Sequence, residues 1–168
     1  MKKIFVLAIL SLSLMRVSGQ DNPYTEVKSN ELGWQLGACT GMGMSYRHWF
    51  DKIGFQLTAL PIKTDEFTFI SAGATALFSF HESRYVMVFG YLGSHYLLQD
   101  DYEEIYDPYS GMNEMIRNRD LTYNFGMGPG FAFGRVVRFN LMVGYGFYDV
   151  FEKFNMFPTG EIGLYFRF

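Results

Sequence analysis

Two short segments contain the residue types that a nucleophilic hydrolase uses. Ser94 and His95 are adjacent and are followed by Asp100, and residues 81–83 read His-Glu-Ser. A serine hydroxyl becomes a nucleophile when a histidine takes its proton and a carboxylate orients that histidine. Adjacent residues on a β-strand point to opposite faces, so neither trio is expected to form this set. An enzyme that uses Ser94, His95 and Asp100 is therefore the second hypothesis, not the first.

Metal and phosphate sites have no sequence signal of their own. The three histidines, at 48, 81 and 95, and the single cysteine, Cys39, are too scattered to give a metal-ligand spacing. Cys39 also cannot form a disulfide within the chain. The glycine-rich stretches GACTGMG and GMGPG lack the lysine and the strand-to-helix context of a phosphate loop. We therefore expect no cofactor and interpret these glycines as strand and hairpin residues.

Acidic residues are concentrated in the segment LLQDDYEEIYDPYSGMNEMIRNRD, which includes Asp100, Asp101, Glu103, Glu104 and Asp107. Oxygen-rich clusters can hold a divalent cation, but the spacing of a calcium loop, with its fixed glycine, is absent. The segment is predicted to be a solvated acidic loop. The tyrosines interleaved with the acids could instead form a surface for an extracellular partner, and both interpretations stay open.

The chain begins with a segment typical of secretion. Lys2 and Lys3 precede an apolar block, and small residues follow it, which predicts a signal peptide over residues 1–19, a short lead over 20–30 and one domain over 31–168. Of 14 basic residues three lie in that peptide, which leaves 11 against 17 acidic residues, a formal net charge of −6. This charge disfavours nucleic acid as a partner.

From Leu32 onward the hydrophobic pattern has a period of two. In RFNLMVGYGFY, residues Phe139, Leu141 and Val143 alternate with Arg138 and Asn140, and this alternation predicts a strand. The same reading gives eight strands in all. The fifth, RYVMVFGYLGSHY, is the least regular: we assign Tyr85, Met87, Phe89 and Tyr91 to its outward row, although the other row is also apolar.

The distribution of glycine indicates which face of the sheet points inward. Gly126, Gly128, Gly144, Gly146 and Gly163 all lie on the polar face, and the narrow interior of an eight-stranded barrel requires small residues among its large ones. A soluble periplasmic ligand-binding barrel would instead turn its apolar rows inward. The pattern therefore predicts an all-β, eight-stranded antiparallel up-and-down transmembrane β-barrel, with both termini at the end where most turns are short.

The alternating strands and the terminal EIGLYFRF resemble the small outer-membrane β-barrels, namely the OmpX and OmpW-like group and the PorT-like barrels of Bacteroidetes. The resemblance implies an outer-membrane location with periplasmic termini and contact with lipid and lipopolysaccharide. It also implies that Phe166 and Phe168 belong to the signal that the assembly machinery reads. The leading hypothesis is a non-enzymatic barrel with an envelope-structural role, or a surface-interaction role through the acidic, tyrosine-rich loop. Because some barrels of this family modify lipids, the alternative is a lipid A or phospholipid-modifying enzyme.

The inward rows are expected to carry a charge network. If the first and last strands close the barrel, Glu31 lies opposite Arg167, near Arg47, Arg84 and Arg138, with Glu161 higher in the lumen. Because buried charges need partners, we predict a structural plug of ion pairs and no aqueous channel. Pro129 falls within the sixth strand and lacks an N–H, so a β-bulge or a break in the ladder is predicted over residues 128–130.

Overall fold

The computed structural model describes residues 29–64, 67–107 and 112–168. The predicted signal peptide and most of the lead lie outside the described residues. The strands are β1 (Asn30–Gly37), β2 (Gly41–Phe50), β3 (Ile53–Lys63), β4 (Phe67–Glu82), β5 (Val86–Asp107), β6 (Met112–Phe133), β7 (Val137–Tyr148) and β8 (Asn155–Arg167). Within these ranges no helix is long and apolar enough to cross a membrane.

The eight strands form one closed antiparallel barrel in chain order. Closure occurs at β1, where Glu31 lies opposite both Arg47 on β2 and Arg167 on β8. The N–H of Phe168 donates to the Asn30 carbonyl at 2.9 Å, which extends this ladder to the last residue. A closed ladder leaves no strand edge along the barrel wall. The prediction of an eight-stranded up-and-down barrel is therefore confirmed.

Alternate residues of each strand separate an apolar outer surface from a mixed interior. On β8, Glu161 and Arg167 are buried, whereas Ile162, Leu164 and Phe166 are exposed. Trp34 on β1 is 57% exposed, while the next residue, Gln35, belongs to the other row and is fully buried. The apolar rows thus point outward, as the glycine pattern predicted. The alternative of a soluble barrel requires these rows to point inward, which they do not do.

Strand β5 faces the opposite way from the prediction. Met87, Phe89 and Tyr91 point into the lumen, and Leu92 lies on the outer surface. Both rows of this strand are apolar, so hydrophobic periodicity could not distinguish them. The pairing with β6 places Phe89 opposite Gly130. A Cβ atom at residue 130 would lie 2.5 Å from Cζ of Phe89, so the missing side chain provides the space that the ring occupies.

The predicted acidic loop is instead a continuation of the sheet. β5 runs to Asp107 and β6 starts at Met112, and their pairing continues to that end. β5 pairs with β4 only as far as Asp101, which lies opposite Phe67. β6 pairs with β7 only from Phe125 onward, which lies opposite Phe147. The far part of β5 and β6 is therefore a two-stranded hairpin that extends beyond the barrel wall.

The ladder between β6 and β7 is interrupted at Pro129. Met127 pairs with Tyr145 and Gly130 with Met142, but no pair is formed by residues 128 and 129. The register is the same on both sides of this gap, so the irregularity is a local break, not a bulge. Pro129 still pairs with Gly90 of β5. The predicted break at residues 128–130 is confirmed and is limited to the β7 side.

Candidate functional site: the barrel lumen

The end of the lumen nearest the termini contains an ion network centred on Glu31. Its carboxylate lies 3.3 Å from Nη1 of Arg47, 3.0 Å from Nη1 of Arg138 and 3.8 Å from Nε of Arg167. The side chains of Glu31 and Arg47 are fully buried. Four of the residues proposed from the sequence are thus brought together by the pairing of β1 with β2 and β8 and of β8 with β7.

A second carboxylate, Glu82, completes this network and was missed in the sequence. Arg138 Nη2 lies 2.9 Å from Glu82 Oε1 and Arg167 Nη1 lies 2.7 Å from it. Alternation from Phe78 and Phe80 would place Glu82 on the outer face. The register of β4 with β5 shifts between Ser79 and His81, so Glu82 pairs with the inward-facing Met87. Directly opposite residues share a face, and this irregularity therefore turns Glu82 inward.

Arg84, which was predicted to belong to the network, lies outside it. The residue is exposed in the turn between β4 and β5, and its guanidinium carbon lies 5.4 Å from the ring centre of Tyr85. The strands end at Glu82 and restart at Val86, so residue 84 has no inward face to occupy. The prediction for Arg84 is wrong because strand alternation was extended into a turn.

Arg47 is held by neutral partners as well as by charge. Its Nη2 donates to Gln56 Oε1 at 2.6 Å, and its guanidinium lies 4.3 Å from the ring centre of Tyr165 and 5.4 Å from that of Phe89. The Asn140 amide lies 2.9 Å from Arg47 Nη1 when its oxygen faces the arginine, the orientation that gives a donor–acceptor pair. A buried cation with this many partners is fixed in one position.

An apolar cluster packs beside the ion network and fills the rest of this end of the lumen. It consists of Trp49, Leu77, Met87, Phe89, Tyr91, Ala132 and Met142. The rings of Trp49 and Phe89 meet edge to face with centres 5.9 Å apart. Side chains thus occupy the interior near the termini, as is expected for eight strands.

The opposite end of the lumen is occupied by the turn between β1 and β2, residues 38–40, which folds inward. Glu161 Oε1 accepts from the N–H of Cys39 at 3.0 Å, and Glu161 Oε2 accepts from the hydroxyl of Thr40. The carbonyl of Ala38 accepts from His95 Nδ1 at 2.8 Å and from Asn124 Nδ2 at 2.9 Å. Glu161 therefore binds this turn and makes no ion pair with the described arginines.

Four lumen glycines leave the space that the turn occupies. They lie on four successive strands and are Gly73 on β4, Gly93 on β5, Gly126 on β6 and Gly146 on β7. A Cβ atom at Gly93 would lie 2.8 Å from Cys39 O, one at Gly126 would lie 2.9 Å from Cys39 Sγ, and one at Gly146 2.7 Å from the same sulfur. At Gly73 it would overlap the Thr40 carbonyl.

The candidate catalytic trio does not assemble. Ser94 lies on the outer side of β5 and its Oγ is 3.5 Å from the Ala74 carbonyl, whereas His95 and Asp100 are buried. His95 instead contacts Ser71, whose Oγ lies 2.9 Å from Nε2. Because His95 Nδ1 faces a carbonyl, it carries the proton, and Nε2 accepts from Ser71. Both residues are buried, so this pair is packed inside the wall and not presented to a substrate.

The acidic segment has a different character at its two ends. Asp100 is buried and Asp101 is exposed. Glu103, Glu104 and Asp107 lie in β5, and their side chains are outside the described residues. Among the described side chains there is no group of three or more His, Cys, Asp or Glu that could hold a metal ion.

The predicted assembly residues lie at the closing strand. Phe166 and Phe168 both point outward and are about half exposed, and their rings stack with centres 6.3 Å apart. Phe166 pairs with Leu32 of β1 and Val137 of β7. The two rings therefore mark the outer surface at the junction where the barrel closes, near the terminal end.

Comparison with known proteins identifies likenesses of structure only. No protein-family model matches the chain, and no characterised protein sequence matches it. The N-terminal β-barrel domain of Pseudomonas aeruginosa OprF is 14% identical, with a TM-score of 0.48, over 83% of this chain and 96% of that one. Neisserial surface protein A (NspA) is 15% identical, with a TM-score of 0.40, over 83% and 94%.

A third solved structure is Ail, the attachment invasion locus protein of Yersinia pestis, in complex with the heparin analogue sucrose octasulfate. It is 16% identical, with a TM-score of 0.36, over 83% of this chain and 94% of that chain. At these identities and scores, the function of this chain has to be argued from its own residues.

Proposed function

We propose that this chain is an integral outer-membrane β-barrel with a structural and surface-interaction role in the envelope, and that it is not an enzyme. The observation that carries the proposal is the polarity of the barrel. Exposed leucine, phenylalanine and tryptophan side chains cover the outside, and a carboxylate with its arginines lies inside. Lipid is the environment that stabilises this arrangement, because the closed ladder forms the hydrogen bonds of the backbone N–H and C=O groups without water.

The filled lumen supports a role other than transport. Ion pairs and the apolar cluster occupy the end near the termini, and the inward turn occupies the other end. Reconstituted protein should therefore show no stepwise ion conductance in a planar bilayer. Stable channels in protein that is folded by heat-modified gel mobility would count against a structural role.

The far part of the β5–β6 hairpin is the proposed contact surface. If the termini are periplasmic, this hairpin projects from the outer surface of the cell, and its acidic residues, Glu103, Glu104 and Asp107 among them, give it a negative charge. Lipid and lipopolysaccharide surround the wall, and the assembly machinery acts on the strand that ends at Phe168. The negative charge of this hairpin would be complementary to a basic extracellular partner.

The location and orientation can be tested together in intact cells. A protease-cleavage sequence inserted after Asp107 should be cut from outside, while the same sequence added after Phe168 should be protected until the outer membrane is opened. The folded barrel should fractionate with the outer membrane and change its gel mobility on heating. Cleavage at Phe168 in intact cells would reverse the orientation, and recovery as a detergent-independent soluble protein would refute the membrane proposal.

A further inference from the structure

The inward turn at residues 38–40 fits its surroundings as a ligand fits a pocket. The four glycines that face it are contributed by β4, β5, β6 and β7, while the turn itself belongs to β1 and β2. A lumen without this turn would have no side chain from these four positions to fill it. The glycines therefore outline a cavity that the same chain occupies.

Three polar groups of the turn, namely Ala38 O, Cys39 N and Thr40 Oγ1, bond to side chains of the barrel wall. His95 and Asn124 donate to the Ala38 carbonyl, and Glu161 accepts from Cys39 N and from Thr40 Oγ1. These contacts join residues that are 57 to 122 positions apart in sequence. They fix the turn in place only after β5, β6 and β8 have joined the barrel.

The fit on one side of the turn is imperfect. Among the described residues, Thr75 Oγ1 is buried and has no hydrogen-bond partner. A Cβ at Gly93 would lie 3.3 Å from that oxygen and 2.8 Å from the methyl carbon of Thr40, so the hydroxyl lies close to the turn. Tyr91 OH is likewise buried with no partner in the part of the chain that the structure describes. An unsatisfied buried hydroxyl disfavours the closed state, because water would satisfy it once the turn moved out.

The interior beyond the turn does not depend on it. Glu31 with its arginines and the cluster around Phe89 are held by ion pairs and ring contacts that do not involve residues 38–40. Displacing the turn would therefore expose a pocket at the end of the barrel away from the termini, with a closed floor. We propose that the β1–β2 turn is a displaceable plug of this pocket, held by Glu161 on one side and by His95 and Asn124 on the other.

Cys39 provides a natural reporter of the plug. It is the single cysteine of the chain and is fully buried. In folded protein in detergent, a polar maleimide should label it far more slowly than in urea-unfolded protein. Glu161→Ala removes two hydrogen bonds to the turn, and Asn124→Ala removes one. We expect labelling of the folded variants to be faster by about ten- to a hundredfold and by several-fold, respectively.

The matched control is Glu152→Ala, since Glu152 is exposed in the turn between β7 and β8. It should label at the wild-type rate. Heat-modified gel mobility identifies the folded fraction of every sample, and only that fraction is compared. If Glu161→Ala fails to fold, Asn124→Ala decides the question, because it leaves His95 bonded to the Ala38 carbonyl.

A cross-link tests the position of the turn directly. The ideal Cβ position at Gly146 lies 2.7 Å from Cys39 Sγ, whereas nothing lies within 4 Å of the Cβ position at Gly160 on the next strand. Oxidised Gly146→Cys protein should therefore form an internal disulfide in the folded state, and Gly160→Cys protein should not.

Two results would overturn the proposal. One is a folded wild-type Cys39 that reacts as fast as the unfolded thiol, with no cross-link to residue 146. The other is a folded Glu161→Ala or Asn124→Ala variant that remains as protected as wild type. Neither measurement depends on which membrane holds the barrel or on the direction in which it is inserted. A negative result for the plug therefore leaves the proposed function intact, and a negative result for the proposed function leaves the plug intact.

Discussion

Replacing Glu31 by Gln tests the ion network most sharply, because Glu31 is the carboxylate shared by three arginines. Arg138 and Arg167 keep Glu82 in the variant. Arg47 loses its charged partner and keeps Gln56, the neutral Asn140 and the rings of Tyr165 and Phe89. Breaking a fully buried pair from one side costs about 3 to 5 kcal/mol. The neutral partners of Arg47 place the expected loss near the lower end, about 3 kcal/mol.

The assay is urea unfolding of the protein in lipid vesicles, followed by the fluorescence of its two tryptophans. The midpoint should fall while the slope stays unchanged, since the same surface is exposed on unfolding. Glu82→Gln is the control, because Glu82 is 35% exposed. Water screens that carboxylate, so its loss should cost about 1 kcal/mol or less.

The double variant Glu31→Gln with Arg47→Met separates a stranded charge from lost packing. It removes both members of the buried pair, so it should be more stable than Glu31→Gln alone. A single variant within about 1 kcal/mol of wild type would show that Glu31 is not the electrostatic centre of the lumen. A double variant that is less stable than the single one would show that packing, not charge, sets the loss.

Four further predictions concern the wall, the turns and the closing strand. Val143→Arg places a charge in the exposed apolar row of β7 and should cost about 2 to 4 kcal/mol of unfolding free energy in vesicles, whereas Phe154→Arg, beyond the strand end, should cost about 1 or less. Arg84→Ala should change that free energy by no more than about 0.5 kcal/mol, because the residue is exposed in a turn. Deleting residues 161–168 removes the pairing of β8 with both β1 and β7 and should abolish surface assembly in cells. Correct assembly of this deletion variant would show that β8 is not needed to close the barrel. Phe168→Ala should refold in detergent almost as wild type does but assemble more slowly in cells, as gel mobility in the two settings will show.

The alternation along the strands was readable from the sequence because its physical cause is local. Successive side chains of a strand point to opposite faces, so the rows containing Phe139, Leu141 and Val143 identify the outer surface without any knowledge of neighbours. Closure was predictable for a related reason. An even number of strands brings the first and last together, and Glu31 is indeed opposite Arg167.

Two features depended on the register between neighbouring strands, and a third on where a strand ends. β5 has two apolar rows, and only its register with Gly130 decides that Phe89 faces inward. The irregularity between Ser79 and His81 turns Glu82 inward, although alternation alone assigns it to the outside. Arg84 shows the converse error, in which alternation was continued past the end of a strand.

The sequence by itself determined an eight-stranded barrel with polar, glycine-rich inner rows, because strand periodicity and residue size are properties of single segments. One feature of the plug is its short connection: residues 38–40 join β1 and β2, whereas the connection between β7 and β8 at the same end of the barrel spans residues 149–154. Only the tertiary structure decided that this turn enters the lumen and that Glu161 holds it. Cys39 N and Glu161 are 122 positions apart, and the glycines that make room for the turn lie on four other strands. The turn, Glu161 and these glycines come into contact only once the barrel has closed.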